Sequence, residues 1–347
     1  LVYKQRLSVA IVILNWNGQK YLAQFLPSVV THSSGCTIFV VDNQSTDNSV
    51  PFVQENYPNI KLIQHEQNLG FCVGYNQAIQ QIEADYYILL NSDVEVTAGW
   101  VTPVIELMES HPVIAACQPK IKSYYKPSFF EYAGAGGGLL DRFGYPFCRG
   151  RLFQSIEEDR GQYNDAVPVF WASGACLFVR AAAYHQMHGL EPAFFAHMEE
   201  IDLCWRLQNQ GYQIWYCGKS EVYHVGGGTL PASNPRKTFL NFRNGLALLY
   251  KNFAGKNLFA TFCTRLLLDW IAALTFISSG QAADGLAVFR AHLAIWQNRK
   301  YWYKTRAEQM LVQKSPAKGV YSRSIVWDYF IRQKRSYREL KFKNFTS

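Results

Sequence analysis

Strand and helix patterns alternate through the first hundred residues of this 347-residue chain, and that alternation limits the fold more than any other feature. Residues 8–14 (SVAIVIL) are an apolar, β-branched run that reads as a strand. A helical pattern over 19–30 follows the turn Asn15-Trp16-Asn17-Gly18. Residues 37–41 (TIFVV) repeat the strand, then Asp42-Asn43-Gln44-Ser45-Thr46-Asp47 intervenes, with Ser45 or Thr46 the expected N-cap of the next helix. A strand at 60–63, a helix at 74–82 and a strand at 86–90 complete the series. Strands separated by helices of about ten residues predict βαβ units, hence an α/β fold with a mainly parallel sheet flanked by helices.

Beyond residue 100 the pattern loosens. Residues 123–165 are rich in glycine and aromatics and read as a loop-rich insertion over the sheet edge. Residues 167–180 (VPVFWASGACLFVR) read as a strand interrupted at Ser173-Gly174. A helix is expected over 199–210, a strand over 213–217 and a helix over 235–252.

The charge divides unevenly. Residues 1–250 hold 17 Lys/Arg and 21 Asp/Glu, whereas residues 251–347 hold 17 and 5, so the whole net charge of +8 comes from the C-terminal part. The expected organisation is a catalytic-type domain over 1–252 and a helical, basic, amphipathic extension over 253–347. In the extension Leu266, Leu267, Trp270, Leu274 and Ile277 fall near one helical face, and Trp296, Tyr301, Trp302 and Tyr303 stand among Arg299, Lys300 and Lys304. A helix lying in a membrane interface has this make-up. The longest uncharged run, 270–283, is short of the roughly 20 residues that a span needs. The expected partner is an anionic membrane surface, with no nucleic acid. The eight cysteines form no C-x-x-C pair, which suits reduced thiols in a cytoplasmic protein. The first apolar run is too short for a secretory signal.

Four polar clusters follow expected strands: Asn15-Trp16-Asn17-Gly18, Asp42-Asn43, Asn91-Ser92-Asp93, and Tyr223-His224 with the glycines behind it. Ligands of open α/β sheets bind at the carboxyl edge of the strands. A carboxylate there, such as Asp93, can hold a divalent cation, and such a cation commonly serves a phosphate. Glu199-Glu200-Ile201-Asp202 opens a helix, where the dipole favours negative charge, and Asp202 is spaced to pair with Arg206.

The segments VILNWNG, VVDNQSTDNS, NLGFCVGYNQAI, LLNSDVEV, WASGACLFVR, FFAHMEEIDLCWRL and YHVGGGT occur in that order over about 70% of the chain. Together they resemble the inverting, nucleotide-sugar-dependent glycosyltransferase family two, of GT-A fold, and within it the rhamnosyltransferase-like subgroup. The resemblance implies sugar transfer from a nucleotide-diphosphate donor to a glycan or lipid-linked hydroxyl in cell-surface polysaccharide synthesis. It implies work on the inner face of the cytoplasmic membrane. It places Asn15, Asn17, Asp42, Asn68, Gly70 and Asn91 around the nucleotide sugar, Gly70 allowing close backbone approach. It makes Asp93 and His224 ligands of Mn²⁺ or Mg²⁺, although the family's usual Asp-X-Asp begins here with Asn91. It makes Glu200 the general base. Trp171 is expected to line the pocket and Arg243, near Arg236 and Lys237, to face the diphosphate. The alternatives are a non-catalytic nucleotide-sugar-binding module and a GT-A enzyme with another acceptor class.

Overall fold

In the computed structural model, residues 7–226, 234–315 and 317–346 are described. The chain opens with β1 (Val9–Asn15), α1 (Gln19–His32), β2 (Thr37–Asp42), α2 (Ser49–Asn56), β3 (Lys61–Gln64), α3 (Gly70–Ile79), β4 (Tyr86–Asn91), β5 (Val94–Val96), α4 (Thr102–Ser110) and β6 (Ile114–Ser123). Four short strands follow, β7 (Gly138–Asp141), β8 (Pro146–Cys148), β9 (Arg151–Leu152) and β10 (Ser155–Ile156). Next come β11 (Ala166–Val169), β12 (Cys176–Arg180), α5 (Ala181–Gln186), α6 (Glu199–Asn209) and β13 (Gln213–His224). The last part holds α7 (Pro235–Asn252), α8 (Leu258–Ser278), α9 (Ala282–Gln297), α10 (Arg299–Val312), β14 (Val320–Tyr321) and α11 (Ile325–Phe330).

The main sheet has the order β11-β13-β6-β12-β4-β1-β2-β3, with β5 paired to β13. Strands β3, β2, β1 and β4 are mutually parallel, as the alternating pattern predicts. Strand β12 runs antiparallel to both β4 and β6, so β6 and its parallel neighbour β13 point the same way as β4. All the strands carrying the polar clusters therefore end at one edge. The register tightens this: Asn15 is opposite Asp42, Leu14 opposite Asn91, and His224 opposite Val94, the residue after Asp93. Strand β4 is buried along Tyr86–Leu90, because helices cover both faces of the sheet.

Several expectations are corrected. Ser45 and Thr46 do not cap α2, which begins at Ser49; Asp47 accepts the Ser49 N–H instead, at 3.0 Å. Helix α3 starts at Gly70, four residues early, because the Phe195 carbonyl accepts from the N–H groups of Phe71 (2.8 Å) and Cys72 (3.2 Å). The insertion over 123–165 is not loop alone: β7 to β10 build a second, small sheet.

Contacts cross the expected boundary at residue 253. Strand β14 adds to the small sheet beside β7, and Trp302 of α10 is buried with its ring centroid 5.9 Å from that of Phe194. Helix α8 spans 21 residues and is long and apolar enough to cross a membrane by length and composition, contrary to the count over 270–283. Arg265 and Asp269 do not interrupt it, because they pair with each other at 2.9 Å, one turn apart.

Trp302→Ala leaves a cavity beside Phe194 and is expected to destabilise the protein by about 3–5 kcal/mol, measured by urea unfolding. A chain ending at 252 is expected to aggregate, since it uncovers Phe194 and the free edge of β7.

Candidate functional site

The site assembles where β1, β2, β4 and β13 end. Asn15 and Asp42 are both buried, and Asn15 Nδ2 lies 3.3 Å from Asp42 Oδ1 and 3.2 Å from Ser45 Oγ. Asp42 Oδ2 accepts the Ser45 N–H at 2.9 Å, closing an Asx-turn. Asn17 adopts a positive φ of 50°, which asparagine tolerates, and its Oδ1 accepts from the N–H groups of Thr46 (2.7 Å) and Asp47 (3.3 Å). Asn17 and Ser45 thus staple the β1 and β2 loops together.

Asn43 organises the next loop. Its amide nitrogen donates to Asn68 Oδ1 (3.0 Å) and Gly70 O (3.1 Å), and its oxygen accepts the Leu69 N–H (3.0 Å). Gly70 sits at φ 72°, and a Cβ there would lie 2.5 Å from the Phe195 ring. The close approach that Gly70 permits within the protein is to Phe195.

Asn91 ends β4 half-buried, its N–H donating to the Ala175 carbonyl at 3.0 Å. Asp93 Oδ1 lies 3.2 Å from His224 Nε2, and Glu131 Oε2 lies 3.5 Å from His224 Nδ1. All three side chains are buried. Burial alone would disfavour the imidazolium, but the charges of Asp93 and Glu131 outweigh it and raise the His224 pKa to about 10. Glu131 was missed in the sequence: it lies in the irregular stretch, and only the fold brings it to His224. The glycines after Gly226 lie outside the described residues.

Helix α6 brings the acidic pair. Its approach is strained: Phe195, His197 and Met198 have φ of 66°, 68° and 70°. Non-glycine residues hold such angles only where surroundings enforce them. Helix α7 does so. Asn244 Nδ2 shares its hydrogens among the carbonyls of Phe194, Ala196 and His197, and Arg243 Nη2 donates to those of Ala193 (3.0 Å) and Phe194 (2.8 Å). Arg243 is thus an anchor of this loop. Burial and the nearby Lys237 charge push the His197 pKa down to about 4, and Glu131 offsets part of the burial that lowers Lys237 itself. Trp171 is corrected: it is buried against Gly138, with Nε1 donating to Leu139 O at 2.9 Å.

Glu199 and Glu200 flank Gly174, next to the Ala175 that holds Asn91. Burial and the neighbouring Glu200 carboxylate push Glu199 well above the usual range. Burial raises Glu200 to about 7, the region suited to a general base. Behind them Asp202 accepts from Arg206 (2.7 Å), Lys251 (3.0 Å) and Asn252 (2.8 Å). Burial would raise Asp202, but Lys251 and Arg206 outweigh it and hold the carboxyl at about 2.

A divalent ion fits this donor set in part. Asp93 oxygen and His224 nitrogen converge closely enough to share one ion, and Glu131 faces the other ring nitrogen, where a metal-bound histidine usually finds a carboxylate. Among the described residues no group of three or more His, Cys, Asp and Glu is placed to hold a metal ion.

The sequence profile described as "Glycosyl transferase family 2" matches residues 8–184, just over half of the chain. The chain belongs to glycosyltransferase family 2. The match ends before Glu200 and His224. It is 26% identical over 230 residues to an N-acetylglucosaminyl-diphospho-decaprenol L-rhamnosyltransferase of Mycobacterium tuberculosis, covering 62% of this chain and 75% of that one. Its fold resembles the mannosyltransferase PcManGT from Pyrobaculum calidifontis, solved with GDP-Man and Mn²⁺ (TM-score 0.54, 13% identity, 89% of this chain and 86% of that one). It also resembles GalNAc-T7, solved with UDP, GalNAc and Mn²⁺ (TM-score 0.54, 14% identity, 72% of this chain), of which it spans only 48%.

Asp202→Asn removes the carboxylate paired with buried Arg206 and one of the two paired with buried Lys251, and is expected to cost about 3–5 kcal/mol in urea unfolding. The same carboxyl, held below its unfolded value of 3.8, contributes stability above that pH, and the contribution should disappear as pH falls through 3.8 toward 2.

Proposed function

We propose that this glycosyltransferase moves a hexosyl group, rhamnosyl being the first choice, from a nucleotide-diphosphate sugar to a hydroxyl of a lipid-linked glycan, with inversion. The observation that carries this reading is the Asp93–His224 pair at one strand edge, with Glu200 packed on Gly174, next to the Ala175 carbonyl that accepts the Asn91 N–H at that edge. The decaprenol-linked substrate of the mycobacterial relative supports the acceptor class. Asp42, with Asn15 and Asn17 bracing its loop, receives the nucleoside; Asn68 and Gly70 shape the adjoining wall through Asn43.

Asp93 and His224 would hold Mn²⁺ or Mg²⁺, the mixed oxygen and nitrogen set favouring Mn²⁺. The metal, when bound, supplies positive charge for the departing diphosphate. Glu131 orients the His224 ring, and Lys237 adds positive charge nearby. Glu200 accepts the proton of the acceptor hydroxyl as its oxygen bonds to the anomeric carbon. The bond from that carbon to the diphosphate oxygen breaks on the opposite face. Positioning and charge stabilisation carry most of such an acceleration. The basic extension faces an anionic membrane surface, which puts the enzyme on the cytoplasmic side, next to lipid-linked acceptor.

Two results are expected. Glu200→Gln should lower kcat for transfer about 100-fold or more while leaving donor binding intact. In wild type, kcat/KM should rise with pH through about 7 and then level, because the base acts only when ionised. Full transfer by Glu200→Gln would overturn the assignment. In a thermal-shift panel of nucleotide sugars, stabilisation should depend on Mn²⁺, and Glu131→Gln should weaken the metal response about tenfold or more.

A further inference from the structure

Helices α8 and α9 are built with their polarity reversed. The stripe that α8 turns toward the protein is Thr261, Arg265, Asp269 and Ala273. Arg265 is 3% exposed and Asp269 fully buried. Arg265 Nη1 donates to the Phe143 carbonyl at 3.0 Å, and Asp269 accepts from Tyr145 OH at 2.6 Å, with His292 of α9 at 3.2 Å. The face that α9 turns inward is Asp284, Gly285, Ala287, Val288 and Ala291, mostly small residues with one carboxylate. The outward faces are apolar: Leu267, Ile271 and Leu274 are 57%, 60% and 61% exposed, and Leu286 and Leu293 of α9 are 50% and 51% exposed.

A helix at a protein–water boundary normally turns its apolar stripe inward. Here rotation is opposed, since turning Arg265 and Asp269 outward together would strip the Phe143 carbonyl and the Tyr145 hydroxyl of their partners. A contiguous apolar surface of this kind marks a binding face.

We propose that the outward face of α8 and α9 inserts into one leaflet of a phospholipid bilayer and holds the enzyme there without crossing it. Crossing is opposed by the inner stripe of α8, which is tied to the loop at Phe143 and Tyr145 and to α9. Lipid fits better than a second copy of the chain for two reasons. Residues 251–347 carry 17 basic against 5 acidic side chains, which repels a like surface and attracts anionic headgroups. The apolar face is bordered by Trp296 (62% exposed) and Tyr303 (69% exposed) among Arg299, Lys300 and Lys304, the aromatic and basic border of a bilayer interface. The proposal rests on the lipid-linked acceptor reading for its purpose, and it replaces simple charge adsorption with hydrophobic insertion.

Flotation of the full chain with vesicles of phosphatidylcholine, and of phosphatidylcholine with phosphatidylglycerol, tests it at low and molar salt. Binding to both that survives molar salt is expected, since screening leaves insertion intact. The double variant Leu267→Glu, Leu274→Glu should bind about 100-fold or more weakly, each leucine contributing about tenfold or more. Its thermal unfolding should not change, because both side chains face outward. Brominated acyl chains should quench wild-type tryptophan fluorescence, and Trp270→Phe with Trp296→Phe should remove that quenching. Binding that vanishes at molar salt overturns insertion. So does a vesicle-free dimer that the double leucine variant dissolves, which would give the face to a second copy. Donor hydrolysis in vesicle-free solution reports separately on the transfer site: the leucine variant should retain it, whereas a wild type that binds vesicles but never hydrolyses donor would defeat the transfer reading and leave insertion standing.

Discussion

The site depends on one pairing. Strand β5, three residues long, runs beside the end of β13 and sets His224 opposite Val94. Asp93 and His224 are distant in the chain, and only this register brings their side chains to 3.2 Å. Because side chains alternate along a strand, a slip by one residue would turn His224 to the other face. The parallel pairing of β6 with β13 supports the register, absorbing a bulge between Cys217 and Glu221 before the strand reaches His224. The pairings of β1 with β2 and β4 do the same for Asn15, Asp42 and Asn91.

Glu200 is held by a different device. The loop before α6 has three strained residues, and the amide of Asn244 and the guanidinium of Arg243 hold the carbonyls of Ala193, Phe194, Ala196 and His197 around them. Below it, Asp202 gathers Arg206, Lys251 and Asn252, and Lys251 continues to Glu191, which accepts from Tyr301 of α10. The extension is thereby linked through buried polar groups to the helix that carries the acid pair. The extension and the strand edge are parts of one framework.

Much of this was legible in the sequence, for a physical reason. A buried parallel strand must be continuously apolar and must end in polar residues, so VILNWNG, VVDNQS and LLNSD announce both the strand and the edge. The acidic start of α6 is equally local. What escaped was tertiary. Trp171 and Arg243 have the chemistry of ligand contacts, but Trp171 fills the space left by Gly138 and Arg243 pairs with carbonyls of a loop 50 residues away. Glu131 gave no signal, because its neighbours form no periodic element and only the fold brings it to His224. The composition of the extension showed an amphipathic helix, but not that its charges lie inward.

A metal held by Asp93 and His224 would complete the proposed nucleotide-diphosphate site at this edge. Calorimetric titration of UDP and of dTDP, with and without Mn²⁺, tests it most directly. The account predicts that at least one of them binds tightly only with Mn²⁺, and that Asp93→Asn and His224→Asn each abolish the metal-dependent part while thermal unfolding shows both variants folded. Binding of equal strength without metal, or undiminished in both folded variants, would contradict it.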